Sequence, residues 1–158
     1  MKSTEDTLAY CQDGSSLVIA PYSPEHMLKI KPQDDQKDFM SIVPENFEHI
    51  ANVEGFAKTI FDRDGEIISV CGIFPRGDQG FSWAIHSNLF KKHALAVTRA
   101  IKNLFKGYED TGNFHRFLGT VASDFTAGHR WMRMIGFEKN NQSISIAGSN
   151  FDLYERVV

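Results

Sequence analysis

The feature that most limits how this chain can fold is an abrupt change of period between residues 80 and 106. Gly80-Phe81-Ser82-Trp83-Ala84-Ile85 alternates, which places Phe81, Trp83 and Ile85 on one face of a strand. From Leu89 to about Lys106, Phe90, Ala94, Val97, Ile101, Leu104 and Phe105 recur at a period near 3.6. That spacing predicts the longest helix of the chain, capped by Ser87 or Asn88 and ended by Gly107. Two more strands precede this pair: Phe56 to Asp62 and Glu66 to Phe74, joined through Arg63-Asp64-Gly65 as a hairpin, with Pro75-Arg76-Gly77-Asp78 as the next turn. A three-strand meander ahead of a helix-linked strand does not suit an all-helical chain or a purely parallel, doubly wound sheet.

The remaining segments fill in an α+β order. Residues 1–25 form a polar arm with one edge strand around Leu17-Val18-Ile19-Ala20, and a single domain over residues 26–158 opens with a strand at Met27 to Lys31. Between Gln33 and Glu54 the residues Phe39, Ile42, Val43, Phe47, Ile50 and Val53 predict two short helices, the second starting at Pro44. Phe114 to Val121 reads as a strand, Asp124 to Ile135 as a helix stopped by Gly136, and Ser143 to Ala147 and Phe151 to Val157 as closing strands.

Composition removes several function classes. Seventeen Lys and Arg against twenty Asp and Glu give a net charge of −3, so no global field draws the chain to nucleic acid or to an anionic membrane. Cys11 and Cys71 are too few for a disulfide framework or a zinc knuckle. The six histidines make no pair at metal-ligand spacing, so no metal is expected. Without a signal-like start or an apolar run of ~18–20 residues, the expected location is cytoplasmic.

Chemistry concentrates at the junction Ile85-His86-Ser87-Asn88-Leu89-Phe90-Lys91-Lys92-His93-Ala94-Leu95-Ala96. Free N–H groups and the positive end of a helix dipole make an anion site, and cations in a first turn are placed badly for the helix itself. An anionic ligand relieves that conflict. The other reading starts the helix near His93 and leaves both lysines solvated on a loop.

The order of elements, together with this junction and His129 to Phe137, resembles the GNAT acyltransferases. The resemblance implies a mixed α/β (α+β) fold: a mostly antiparallel, splayed sheet flanked by helices on both faces. Lys91 to Ala96 is similar to that family's loop [QR]-x-x-G-x-[GA], which holds the pyrophosphate of acetyl-CoA, with Ala94 in place of the first Gly. Acetyl-CoA or CoA is the implied cofactor, held by Ile85, Lys91, Lys92, His93, Ala94, Leu95 and Ala96. Gly136-Phe137 is similar to the end of the family's late helix. Counting back, the Tyr that protonates the departing CoA thiolate is replaced by Met132, and a thioether donates no proton.

The implied reaction is acetyl transfer to a small-molecule or protein amine, by direct attack on a thioester held at the splayed end of the Phe81–Ile85 strand. His86 is the candidate base, with a satisfied structural histidine as the bland reading. The nearest likeness is to acetyltransferase-like proteins of tailed bacteriophages, which implies an alternative: a catalytically silent head-assembly or virion protein with phage structural proteins as partners.

Overall fold

The computed structural model describes residues 9–10, 17–34, 36, 56–146 and 148–158. The two helices expected between Gln33 and Glu54 fall outside these apart from three residues, and so does Cys11. Eight strands and three helices are described: β1 Ala9–Tyr10, β2 Val18–Pro21, α1 Pro24–Lys29, β3 Ala57–Phe61, β4 Ile67–Arg76, β5 Gln79–His86, α2 Phe90–Asp110, β6 Arg116–Ala122, α3 Thr126–Met134, β7 Glu138–Ile146 and β8 Ser149–Val157. They fall into two compact units, residues 1–73 with 84–97 and residues 74–83 with 98–158.

In the first unit, the strands succeed one another as β1-β2-β3-β4 in antiparallel ladders. The β3–β4 hairpin turns where sequence places it. Asp62 Oδ1 accepts from the N–H groups of Asp64 and Glu66, and Gly65 takes the positive φ of 81° that the turn requires. Ile60, Ile68 and Val70 are wholly excluded from solvent and form the middle of this core.

Two expectations are corrected here. Val18–Pro21 is not an edge strand, because β1 lies on one side of it and β3 on the other. Met27 to Lys31 is not a strand, because a helix begins at Pro24. Pro24 supplies a helix-ready φ, and His26 Nδ1 accepts from the Ser23 N–H at 3.0 Å to cap the turn. The same imidazole nitrogen lies 2.8 Å from Thr59 Oγ1 and its ring meets Phe61 edge-on, which ties α1 to β3. Five alternating residues carried less weight than one cap and one tertiary anchor.

In the second unit the order is β5-β6-β8-β7. β6–β8 and β7–β8 are antiparallel, whereas β5–β6 is parallel and runs for only three pairs, Gln79↔Arg116, Gly80↔Phe117 and Phe81↔Leu118. β6 continues to Ala122 along β8, while the β5 ladder stops at Phe81. A cluster of phenylalanines fills this core: Phe105 lies 5.1 Å from Phe117 and 5.3 Å from Phe137, both edge-on. Arg156 closes it from outside, over the Phe105 ring, donating to Glu109 at 2.7 Å and to the Ile135 carbonyl at 2.6 Å.

Helix ends also differ from the sequence reading. α2 passes through Gly107 to Asp110 and ends before Gly112, which holds a φ of +73°. The helix expected from Asp124 starts two residues later, at Thr126, with Phe125 at the N-cap position without a side-chain bond. β4 runs through Pro75, leaving only Gly77 and Asp78 as the turn to β5.

Candidate functional site

β5 passes through Ser87-Asn88-Leu89 into α2, and the serine organises that passage. Its Oγ accepts from the Leu89 N–H at 3.2 Å and its carbonyl accepts from the Phe90 N–H at 3.0 Å. The helix therefore starts at Phe90, so Lys91 and Lys92 lie in its first turn and not on a preceding loop. His93 N–H donates back to the Leu89 carbonyl at 3.3 Å, which leaves the Lys91 and Lys92 N–H groups with no intrahelical acceptor. That turn carries no acidic residue, and both lysines are exposed. Leu95 is also exposed, His93, Ala94 and Ala96 are half-buried, and Ile85 is fully buried. Such a helix start suits a polyanion such as the phosphates of CoA, since it offers free donors and mobile cations with nothing to repel them.

His86 ends β5 in a different environment. Its Nδ1 lies 2.7 Å from Ser69 Oγ, its backbone N–H donates to Gln36 Oε1 at 2.7 Å, and its carbonyl accepts from the Gln33 N–H at 2.9 Å. Gln36 Nε2 in turn donates to the Ala84 carbonyl, and the ring stacks at a tilt on Phe90, centroids 4.1 Å apart. Burial pushes the imidazole down to about 3, so it is neutral at pH 7. A base that weak takes a proton poorly from an alkylammonium, whose pKa is roughly 10. The geometry makes His86 a fastening between β5, β4 and residues 33–36, in line with the bland reading of this residue.

The place where β5 and β6 part is built from Ser82, Gly119, Met132 and Phe137. Residues paired in register share a face, so Gly80↔Phe117 places Ser82, two residues on, on the face of Gly119. A Cβ at Gly119 would sit 2.8 Å from Met132 Cε, 3.8 Å from the Ser82 carbonyl oxygen and 3.9 Å from Phe137 Cε1. Met132 is thus a buried side chain laid over the β6 backbone, which only glycine permits at that approach. Ser82 Oγ is buried and has no hydrogen-bond partner among the described residues.

A second polar cluster, unforeseen from sequence, joins α3 to β8. His129 Nε2 faces the carbonyl oxygens of Ala122 and Ser123, each at 3.1 Å, so Nε2 carries the hydrogen and Nδ1 accepts from Tyr154 O–H at 2.6 Å. Asp152 receives the hydroxyls of Ser123 (2.9 Å) and Ser143 (3.3 Å), with Lys139 Nζ 3.3 Å away. The Ser123 hydrogen bond, helped by Lys139, holds the Asp152 carboxyl below the usual carboxylate range. Every member has a partner, which marks the cluster as a fastening of the β6–α3 turn. Only the co-occurrence of Tyr154 and Asp152 on one strand hinted at it, since alternation places both on one face.

Among the described residues no three His, Cys, Asp or Glu side chains come together to hold a metal ion, and no helix is long and apolar enough to cross a membrane. Burial pushes the Cys71 thiol up to about 12.

No protein-family model and no curated protein sequence matches the chain. Solved structures do match in fold. A GNAT-family acetyltransferase from Bacillus anthracis superposes with a TM-score of 0.67 at 14% identity, covering 90% of this chain and 95% of that one. The ribosomal L7/L12 alpha-N-protein acetyltransferase RimL, in complex with coenzyme A, gives 0.63 at 15% identity over 90% and 94%. A spermidine N-acetyltransferase chimera of SpeG from Vibrio cholerae and hSSAT gives 0.63 at 12% identity over 90% and 96%. The chain has the mixed α/β, mostly antiparallel fold of these acetyltransferases.

Proposed function

We propose that this chain, which carries an acetyltransferase fold, is an acetyl-CoA-dependent N-acetyltransferase whose acceptor is a small-molecule or protein amine. The observation that carries the reading is the start of α2, a first turn with two exposed lysines, no acidic residue, and Lys91 and Lys92 N–H groups that have no intrahelical acceptor among the described residues. In this proposal the phosphates of CoA are held by Lys91, Lys92 and the first-turn amides, with Ile85, His93, Ala94, Leu95 and Ala96 around them. The named neighbours support both acceptor classes, one being a spermidine and one a ribosomal-protein acetyltransferase.

Bound acetyl-CoA supplies an activated acyl carbon, and the chain's part is to orient it, exclude water and stabilise the charge that develops. Direct attack by the amine fits best, because a buried Cys71 with its thiol pushed to about 12 offers no thiolate at neutral pH. With His86 neutral and only weakly basic, the amine gives its proton to solvent.

A second reading, a catalytically silent assembly or virion protein of a phage, is favoured by Met132, a core methionine where the resemblance expects a proton donor. The two readings separate in one assay. Release of free CoA thiol from acetyl-CoA is followed with a polyamine and with a peptide bearing a free N-terminus. The enzyme reading expects amine-dependent release above the no-protein rate with at least one acceptor class. Saturable acetyl-CoA binding without any amine-dependent release would favour the silent protein.

A further inference from the structure

We propose that the outward faces of α2 and α3 within the second unit form a docking surface for an acidic helix of a protein partner. The inference does not rest on the acyl-CoA reading, and its test involves neither turnover nor CoA.

The sequence of the two helices gathers charge of one sign. From Thr98 to Tyr108, α2 carries Arg99, Lys102 and Lys106 and no acidic residue, and α3 carries Arg130 and Arg133 and no acidic residue. In a chain of net charge −3 this is a local excess of the opposite sign. All five residues are exposed. On the strands of the same unit the cations are paired instead: Arg116 with Glu155, Lys139 with Asp152 and Arg156 with Glu109. Lys102, Lys106, Arg130 and Arg133 take no ion pair among the described residues. Glu109, the first acidic residue along α2 after these cations, is already held by Arg156 at 2.7 Å.

The two faces adjoin. Trp131 Nε1–H donates to Thr98 Oγ1 at 3.0 Å, so the helices meet along that line. Lys102 stands one turn on from Thr98, and Met134, three residues on from Trp131, is 54% exposed. Cations beside an exposed methionine and a half-buried tryptophan have the composition of a protein interface, where Trp, Met and Arg are enriched. A phosphate backbone would use the cations alone.

Spacing favours a helical partner. Arg99, Lys102 and Lys106 stand at i, i+3 and i+7, about 10 Å along the axis. A partner helix with carboxylates at the same repeat meets all three in one pose, and an apolar residue beside them covers Met134. A longer extended polyanion outruns the patch and meets the negative excess of the rest of the chain.

The probe is a synthetic helical peptide with glutamates at i, i+3 and i+7 and a leucine beside them. It is titrated into the full chain at low ionic strength and followed by fluorescence anisotropy, with a scrambled peptide and a short oligouridylate as comparisons. Wild type should bind the peptide saturably and at least about fivefold more tightly than the scrambled one. The double variant Lys102→Glu, Lys106→Glu, folded by circular dichroism, should lose at least about tenfold, and Met134→Ala, which keeps every charge, about threefold. Tighter binding of oligouridylate than of the peptide would assign the face to nucleic acid and overturn the proposal. So would no saturable binding to wild type, equal affinity for the scrambled peptide, or equal affinity in the charge-reversed variant. Failure of acetyl-CoA to bind would leave this result standing, and the reverse holds as well.

Discussion

The backbone and side-chain bonds at the end of β5 differ from those at its middle. At Ala84–His86, the Ala84 carbonyl and the His86 N–H, carbonyl and Nδ1 all hold short bonds to Gln36, Gln33 or Ser69. At Ser82, a half-buried residue, the hydroxyl oxygen is hidden and has no hydrogen-bond partner among the described residues. The first arrangement is what a fold needs to close a strand end. The second leaves a hidden donor without a partner among the described residues, which costs stability. A titratable residue in a promising position is thus less informative than whether its bonds are already taken.

The largest effect expected from this contrast is on stability against pH. Above pH 6.5 His86 is neutral in the folded and the unfolded chain, so its burial carries no protonation penalty. Between 6.5 and about 3 the unfolded chain takes up a proton that the buried ring refuses, and stability falls as pH falls. By pH 4 the loss should approach roughly 3 kcal/mol, as an upper limit set by the shift. Denaturant midpoints at pH 7 and pH 4 for wild type and His86→Gln check this, the variant being flatter. Equal slopes would mean that His86 is not held neutral.

A smaller effect compares two serines directly. Ser69→Ala removes the partner of a buried imidazole and should destabilise by about 1–3 kcal/mol. Ser82→Ala removes a hydroxyl that has no hydrogen-bond partner among the described residues, so its urea midpoint should be unchanged or slightly raised. Should both substitutions cost the same, the difference between the end and the middle of the strand disappears.

Much of the second unit was legible in sequence because its signals are periodic and long. The α2 stripe, the alternation of β5 and the Gly136-Phe137 stop all act within their own segments, and β5, α2, β6, α3 and β8 lie within a few residues of expectation. Met27 to Lys31 misled because a short alternation competes with a Ser-Pro helix start whose anchor, Thr59, is thirty-three residues from His26. β7 was placed short at its start: it begins at Glu138, and the irregular register between Lys139 and Ser143 breaks the alternation that sequence reading follows.

The candidate site was legible in part. Cations, small residues and a helix start are local facts, so the family resemblance could be laid on Lys91 to Ala96. The burial of His86 and that of Ser82 Oγ are set by residues distant in sequence, and neither has a local signature. Met132 was identifiable as a missing donor, but that it packs on Gly119 follows from the pairing of α3 with β6.

The account stands most directly on acetyl-CoA binding at the start of α2, and one calorimetric comparison tests it. Acetyl-CoA is titrated into wild type and into the double variant Lys91→Glu, Lys92→Glu at low ionic strength. Acidic residues in a first turn favour the helix, so the variant should be as stable as wild type or slightly more so. Its acetyl-CoA affinity should nevertheless fall at least about tenfold, because two cations facing phosphates become two anions. Saturable heat in wild type with that loss in a folded variant is the predicted result. No heat in wild type at millimolar ligand, or equal affinities in the two proteins, would contradict it.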